Sequence, residues 1–320
     1  MVVQILLLIA GFVFLIGGAS WLVDGASSLA RRLKISDLAV GLTVVAFGTS
    51  CPELFVNIMA ALRGDSAIAI GNILGSNSFN ILVILGIASL MYPLAITPGT
   101  VWKEIPFSLL AAVLLGIMAN DALFDATQSN LLDRVDGLVF LAFFVLFLYY
   151  IAGMMRLSPE EAEAVPSKSL TIPKSLLRVA AGLAGLVLGA RWVVSGAVFV
   201  ALRSGVSEGV IAFTLVAAGT SLPELVTSVV AAVKKKPGIA VGNVVGSNIF
   251  NIFFVLGITP LIRPLEFSPA NRYDIALVIF ASVLLFVFMF TGKNRKLDRW
   301  EGALLLGVYA AYLVFLFVNR

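Results

Sequence analysis

Two stretches of this chain return at a fixed spacing, and that repetition constrains the fold more than any other feature. Gly48-Thr49-Ser50-Cys51-Pro52-Glu53 recurs as Gly219-Thr220-Ser221-Leu222-Pro223-Glu224. Gly71-Asn72-Ile73-Leu74-Gly75-Ser76-Asn77-Ser78-Phe79-Asn80 recurs as Gly242-Asn243-Val244-Val245-Gly246-Ser247-Asn248-Ile249-Phe250-Asn251, each position 171 residues after its mate, as Gly219 follows Gly48. Trp21 and Trp192, Gly25 and Gly196, Ser36 and Ser207, and Pro93 and Pro264 keep the same offset. Each copy sets a proline and a glutamate inside an apolar stretch long enough to cross a bilayer, where an ionisable side chain is costly and marks a functional site.

Composition supports the bilayer reading: the chain is 60% hydrophobic and 12% charged, with mean hydropathy +1.05. Apolar runs predict spans at about 3–30, 38–62, 67–90, 104–119 and 135–155, then at 175–202, 207–233, 238–261, 273–291 and 300–318. The first run has no basic n-region or small-residue cleavage site and is read as a retained span. Leu132-Asp133-Arg134-Val135-Asp136-Gly137 resembles Leu297-Asp298-Arg299-Trp300-Glu301-Gly302, so the match extends beyond the motifs. The expected fold is an all-α polytopic membrane protein of ten transmembrane helices in two inverted five-helix repeats, 1–155 and 175–320, joined by a polar linker at 156–174. Five is odd, so the second unit enters the membrane upside down.

Loop charge sets the orientation. The loops on the N-terminal side hold 6 Lys/Arg, including Arg63, Arg134 and Arg203, and those on the other side hold 15, including Arg31, Arg32 and Lys234-Lys235-Lys236. The richer side is therefore cytoplasmic, together with the linker, and both termini are extracellular in a plasma-membrane protein. Asp24 falls near the cytoplasmic end of the first span. Arg191, whose repeat mate is Ser20, has no evident partner. Glu160-Glu161-Glu163 in the linker reads as a solvated acidic loop.

The polar groups inside the spans suit oxygen coordination. Pro52 lacks an N–H and collides with the preceding turn, so the second span should break near Gly48 and free carbonyls around Ala46–Thr49; Pro223 repeats this. Thr49, Ser50 and Glu53 are expected to converge on one face, as are Thr220, Ser221 and Glu224. Asn72, Ser76 and Asn80 form an i, i+4, i+8 stripe, repeated by Asn243, Ser247 and Asn251. Gly71, Gly75, Gly242 and Gly246 read as helix-packing positions. Asn72, Asn77, Asn243 and Asn248 are left outside the expected site. Carboxylates, hydroxyls and amide carbonyls together fit hard cations such as Na⁺ and Ca²⁺ and do not fit zinc or copper. The chain has no His, and its one Cys, Cys51, lies off the polar face. A disulfide is excluded, and an enzyme's nucleophile–base pair has only Ser50 with Glu53 to draw on. A channel would ordinarily place its filter on an oligomer axis, whereas here one chain supplies the whole site.

The duplicated Gly-Thr-Ser-x-Pro-Glu and Gly-Asn-x-x-Gly-Ser-Asn-x-Phe-Asn motifs resemble the paired alpha-repeats of sodium/calcium exchangers in the cation/calcium exchanger superfamily. The resemblance covers essentially all ten spans. It implies Ca²⁺ held by Glu53 and Glu224 with the main-chain oxygens of Thr49 and Thr220. It implies Na⁺ ligands among Ser50, Ser76, Ser221, Ser247 and the carbonyls of Ala46 and Ala217, with Asn80 and Asn251 at family site positions. It also implies that the long first and sixth spans slide against the rest. Some prokaryotic relatives carry Asp at the position of Asn251, and potassium-dependent members use acids in that helix. The expected activity is therefore Na⁺/Ca²⁺ antiport, with potassium-dependent or proton-coupled exchange as the alternative. The expected partners are the two ions and the lipid bilayer, with no cofactor, no nucleic acid and no obligate protein partner.

Overall fold

The structure, a computed structural model, describes residues 2–121, 130–154, 170–204, 217–268, 271–291 and 295–319. The first half contains α1 (Val2–Leu33), α2 (Asp37–Thr49), α3 (Cys51–Arg63), α4 (Ser66–Met91), β1 (Leu94–Ala95), α5 (Pro98–Met118), β2 (Leu131–Leu132) and α6 (Arg134–Met154). The second half contains α7 (Ile172–Arg203), α8 (Ala217–Thr220), α9 (Leu222–Val233), α10 (Pro237–Ile262), β3 (Leu265–Glu266), α11 (Asn271–Thr291), β4 (Lys296–Leu297) and α12 (Arg299–Asn319). Among the described residues, eight helices are long and apolar enough to cross a membrane, or nine if the bent pair α2–α3 is one span. The protein is thus an integral, multi-pass helical membrane protein. The linker expected at 156–174 and its acidic triplet lie largely outside the described residues, as does the first part of the seventh expected span. α7, the sixth expected span, begins at Ile172, inside the expected linker, with Pro173 in its first turn where a missing N–H costs nothing.

α4 and α10 form the centre. Their most apolar windows are 78% and 94% buried, against 22–39% for the other single-helix spans, whose apolar faces are left to lipid. α1 and α7 pack against each other along their length at Gly positions. A Cβ on Gly18 would sit 2.8 Å from the Gly182 carbonyl oxygen, and one on Gly11 2.9 Å from that of Gly189. Only bare backbone permits that approach. Contacts that rise along α1 fall along α7, so two helices with matched sequences run antiparallel. Gly242 and Gly246 pack on α2, where added Cβ atoms would lie 2.8 Å from the Leu38 carbonyl and the Leu42 Cα.

Two short antiparallel ladders tie the halves together at the ends of the bundle. β1 pairs with β4, Leu94 opposite Leu297, and β2 pairs with β3, Leu132 opposite Leu265. Each pairing brings together two loops that the charge analysis assigns to one side of the membrane.

Candidate ion site

Pro52 and Pro223 produce the expected breaks. α2 and α3 meet at 44°. The hinge residues Ser50 (φ −86°, ψ 4°) and Ser221 (φ −88°, ψ 5°) adopt the same sparsely populated backbone conformation. The pattern of freed carbonyls differs from expectation at one residue. The Ala46 carbonyl keeps a helical partner, the Ser50 N–H at 3.0 Å, and also accepts from Thr49 Oγ1 at 3.4 Å. The chain resumes its ladder with Leu54 N–H on the Ser50 carbonyl at 3.2 Å. Pro52 offers nothing to the Gly48 carbonyl. Ala217 opens α8, and its side chain lies outside the description.

The hydroxyls of Thr49, Ser50, Thr220 and Ser221 do not serve the glutamate of their own motif; they cross between the halves. Ser50 Oγ lies 3.1 Å from Glu224 Oε1 and 3.0 Å from Ser247 Oγ. Ser221 Oγ lies 3.2 Å from Glu53 Oε1 and 3.0 Å from Ser76 Oγ, and Ser76 Oγ donates to the same Glu53 oxygen at 3.4 Å. Thr49 Oγ1 donates to Asn243 Oδ1 at 3.0 Å, and Thr220 Oγ1 to Asn72 Oδ1 at 3.4 Å. Since Ser50 stands one turn before Glu53 and Ser221 one turn before Glu224, these bonds close a ring through both motifs.

Two of the asparagines left outside the expected site join this network. Asn72 Nδ2 donates to Asn57 Oδ1 (2.7 Å) and to the Glu53 carbonyl (3.4 Å). Asn243 Nδ2 donates to Ser228 Oγ (2.9 Å) and to the Glu224 carbonyl (3.3 Å). Ser228 is the repeat mate of Asn57. Asn80 and Asn251 sit where α4 and α10 widen into π-helical turns, over Asn80–Ile84 and Phe250–Val255. Such single turns rotate the following residues and are common at functional sites. Composition and period carry no signal for them.

What the cage lacks is donors. Glu53 Oε2, Glu224 Oε2, Asn80 Oδ1 and Asn251 Oδ1 are buried with no hydrogen-bond partner, and each of these residues is 1% exposed. All four atoms are acceptors, and unpaired buried acceptors cost free energy that a cation would recover. Glu104 Oε2 is also buried and unpaired, but it belongs to a carboxylate on α5 that accepts from Tyr150 Oη, away from the motifs. Among the described residues, no group of three or more His, Cys, Asp or Glu could hold a metal ion. The four orphaned oxygens combine carboxylates with amides, a set for hard cations.

Two ion pairs escaped the sequence reading. Asp24 pairs with Lys234 at 2.7 Å, and Asp37 with Lys236 at 3.0 Å. Lys234 and Lys236 thus do more than set topology: they tie the end of α9 to α1 and α2. Arg191 is exposed on α7.

With this geometry in view, the chain was compared with known proteins. The family described as sodium/calcium exchanger protein matches residues 3–153 and 174–318. CaxA of Alkalimonas amylolytica is 37% identical over 325 residues, covering 99% of both chains. The sodium/calcium exchanger MaX1 of Methanosarcina acetivorans is 34% identical, covering 98% of this chain and 99% of its own. A solved structure of the sodium-calcium exchanger NCX_Mj, soaked with Na⁺ and Ca²⁺, superposes with a TM-score of 0.84 at 30% identity, covering 98% of each chain. The chain is similar to cation/Ca²⁺ antiporters along its length, and it belongs to the sodium/calcium exchanger protein family.

Proposed function

We propose that this chain is a secondary antiporter that exchanges Na⁺ for Ca²⁺ by alternating access at the oxygen cage between the two motifs. In this reading ten spans form two inverted five-helix units, 1–155 and 175–320. The 156–174 linker is cytoplasmic, and both termini lie outside the plasma membrane. The observation that carries the reading is the set of four buried acceptor oxygens without donors, two from Glu53 and Glu224 and two from Asn80 and Asn251. Ser221 and Ser76 contact Glu53, and Ser50, backed by Ser247, contacts Glu224; the main-chain oxygens of Thr49, Thr220 and Ala217, with Ala46 in addition to its helical donors, make up the rest of the ligand set that the family resemblance implies.

Exchange follows from electrostatics. Two ionised carboxylates in a low-dielectric interior cost several kcal/mol each when uncompensated. One Ca²⁺, or two or more Na⁺, neutralises the pair. Loaded states therefore cross the barrier and the empty state does not. Both loads use the same oxygens, so either ion displaces the other and selects the occluded form.

The test is uptake into proteoliposomes with Na⁺, K⁺ and H⁺ gradients imposed separately. Outward Na⁺ gradients are expected to drive accumulation of radioactive calcium without added K⁺, and dissipating the Na⁺ gradient is expected to stop it. Calcium uptake indifferent to Na⁺ would overturn the proposal, and uptake that requires K⁺ or follows only the pH gradient would transfer it to the potassium-dependent or proton-coupled form.

A further inference from the structure

Asn77 and Asn248 make no contribution to the orphaned oxygens, yet they hold two of them in place. Asn80 Nδ2 donates to Asn248 Oδ1 at 2.9 Å, and Asn251 Nδ2 donates to Asn77 Oδ1 at 2.9 Å. Asn77 Nδ2 donates to the Asn248 carbonyl and Asn248 Nδ2 to the Asn77 carbonyl, both at 3.3 Å. All four side chains are buried, at 0–1% exposure. An asparagine amide has one donor end and one acceptor end. Once the NH₂ of Asn80 is engaged by Asn248, its Oδ1 must face the opposite way, and that is the oxygen left without a protein partner. The same holds for Asn251 through Asn77. A half-turn of either amide would oppose two acceptors within the quartet and present an NH₂ to the cage, where it would repel a cation.

We propose that Asn77 and Asn248 are positioning residues: they fix the amides of Asn251 and Asn80 so that this side of the cage offers carbonyl oxygen only. The inference rests on the cation-exchange reading and adds to it a determinant of affinity behind the ligands. The bonds cross between the halves, so each repeat orients the other repeat's ligand, and neither amide can be reset alone. Neutral amide ligands, unlike carboxylates, present oxygen from one end only. This cage therefore needs an orienting residue that an acidic ligand at the same place would not need.

The difference between amide and carboxylate supplies the test. The detergent-solubilised full chain is titrated with Ca²⁺ alone and with Na⁺ alone, and binding is read from the ion-induced rise in melting temperature. Asn248→Leu, close in shape, is expected to weaken binding about tenfold or more, as loss of an outer-shell partner does. Asn80→Asp carries oxygen at both ends and needs no orientation. An acid at position 80 also turns an acceptor oxygen toward Asn248 Oδ1, so Asn248→Leu added to Asn80→Asp is expected to leave affinity no lower than Asn80→Asp alone sets it. A residue that merely supports the fold would weaken binding by the same factor in both backgrounds, and that result would overturn the proposal. The cycle of Asn77→Leu with Asn251→Asp is expected to behave identically and serves if the first Leu variant does not fold. An unaltered chain that binds neither ion would remove the cation reading and this inference with it. Binding by the unaltered chain with unchanged affinity in both Leu variants would remove this inference alone.

Discussion

Glu53→Gln and Glu224→Gln are each expected to reduce Na⁺-driven calcium uptake to the level of protein-free liposomes. The substitution is nearly isosteric, so the fold is preserved and the effect is one of charge. With one carboxylate left, a bound Ca²⁺ leaves the cage with net positive charge. The amide also puts a donor where the cage offers acceptors. Losing a charged ligand interaction costs about 1.5–3 kcal/mol even before the lost neutralisation, which alone weakens occupancy by one to two orders of magnitude. Stability should move the other way. Two buried like charges repel, so the ion-free Gln variants are expected to melt no lower than the unaltered chain. Normal transport by either variant would remove the carboxylate-pair mechanism. The hydroxyl crossover makes a finer prediction. Ser50→Ala should be non-additive with Glu224→Gln, whose oxygen Ser50 contacts at 3.1 Å. With Glu53→Gln, which Ser50 does not contact directly, the coupling should be smaller, both cycles being read from ion-induced melting shifts.

How far the sequence reached can be judged residue by residue. The 171-residue offset marked Glu53 and Glu224 as a pair, because a costly ionisable group at two matched depths is hard to explain by packing. It also marked the prolines, which break the helices where expected. The helical stripe located Ser76 and Ser247 correctly on the inner helices. Which hydroxyl meets which carboxylate was not legible, because spacing within a helix says nothing about a partner contributed by the other half. For the same reason Asn77 and Asn248 fall outside the expected site. Their role exists only in the reciprocal contact between α4 and α10. The π turns at Asn80 and Phe250 leave no compositional trace, since one extra residue in a turn changes neither hydropathy nor length. The Ala46 carbonyl is expected to be free because the break is expected near Gly48; the ladder in fact runs to Ser50 before it fails. The partner of Asp24 is not legible in the sequence because Lys234, which lies beside it, is 210 residues away.

Asp24→Lys is expected to loosen the C-terminal end of α1 from α9, and Asp24→Lys with Lys234→Asp is expected to restore it. Lys234 spends its donors on α1: the Ser20 carbonyl at 3.1 Å, Ser20 Oγ at 2.7 Å and Asp24 Oδ1 at 2.7 Å. In the proposed reading of two inverted repeats that close alternately, the two sides of the membrane would close with nearly equal energy if the sequences matched. Here they do not. The mates of Lys234, Ser20 and Asp24 are Arg63, Arg191 and Ser195, two cations and a hydroxyl in place of a cation, a hydroxyl and an anion. The same closure on the opposite side would bring Arg63 towards Arg191, so the charge pattern favours closure at the Lys234 end and disfavours it at the other. The structure follows this bias, with α1 packed along α9 and no comparable packing of α7 on α3 among the described residues. The pair is partly solvated, its side chains 29% and 43% exposed, so its own contribution is modest. Reversing one charge replaces attraction with repulsion and should shift the balance of open and closed forms about tenfold. Spin labels at Leu33 and Val233, both exposed, read the separation of α1 and α9 directly on a Cys51→Ala background. Asp24→Lys should lengthen the distance distribution, and the double reversal should shorten it again. Arg191→Asp, which would offer Arg63 an anion in that opposite closure, should favour it and lengthen the distance without touching Lys234. An unchanged distribution in Asp24→Lys would mean that α1 is held by its packing on α7 and α9 alone.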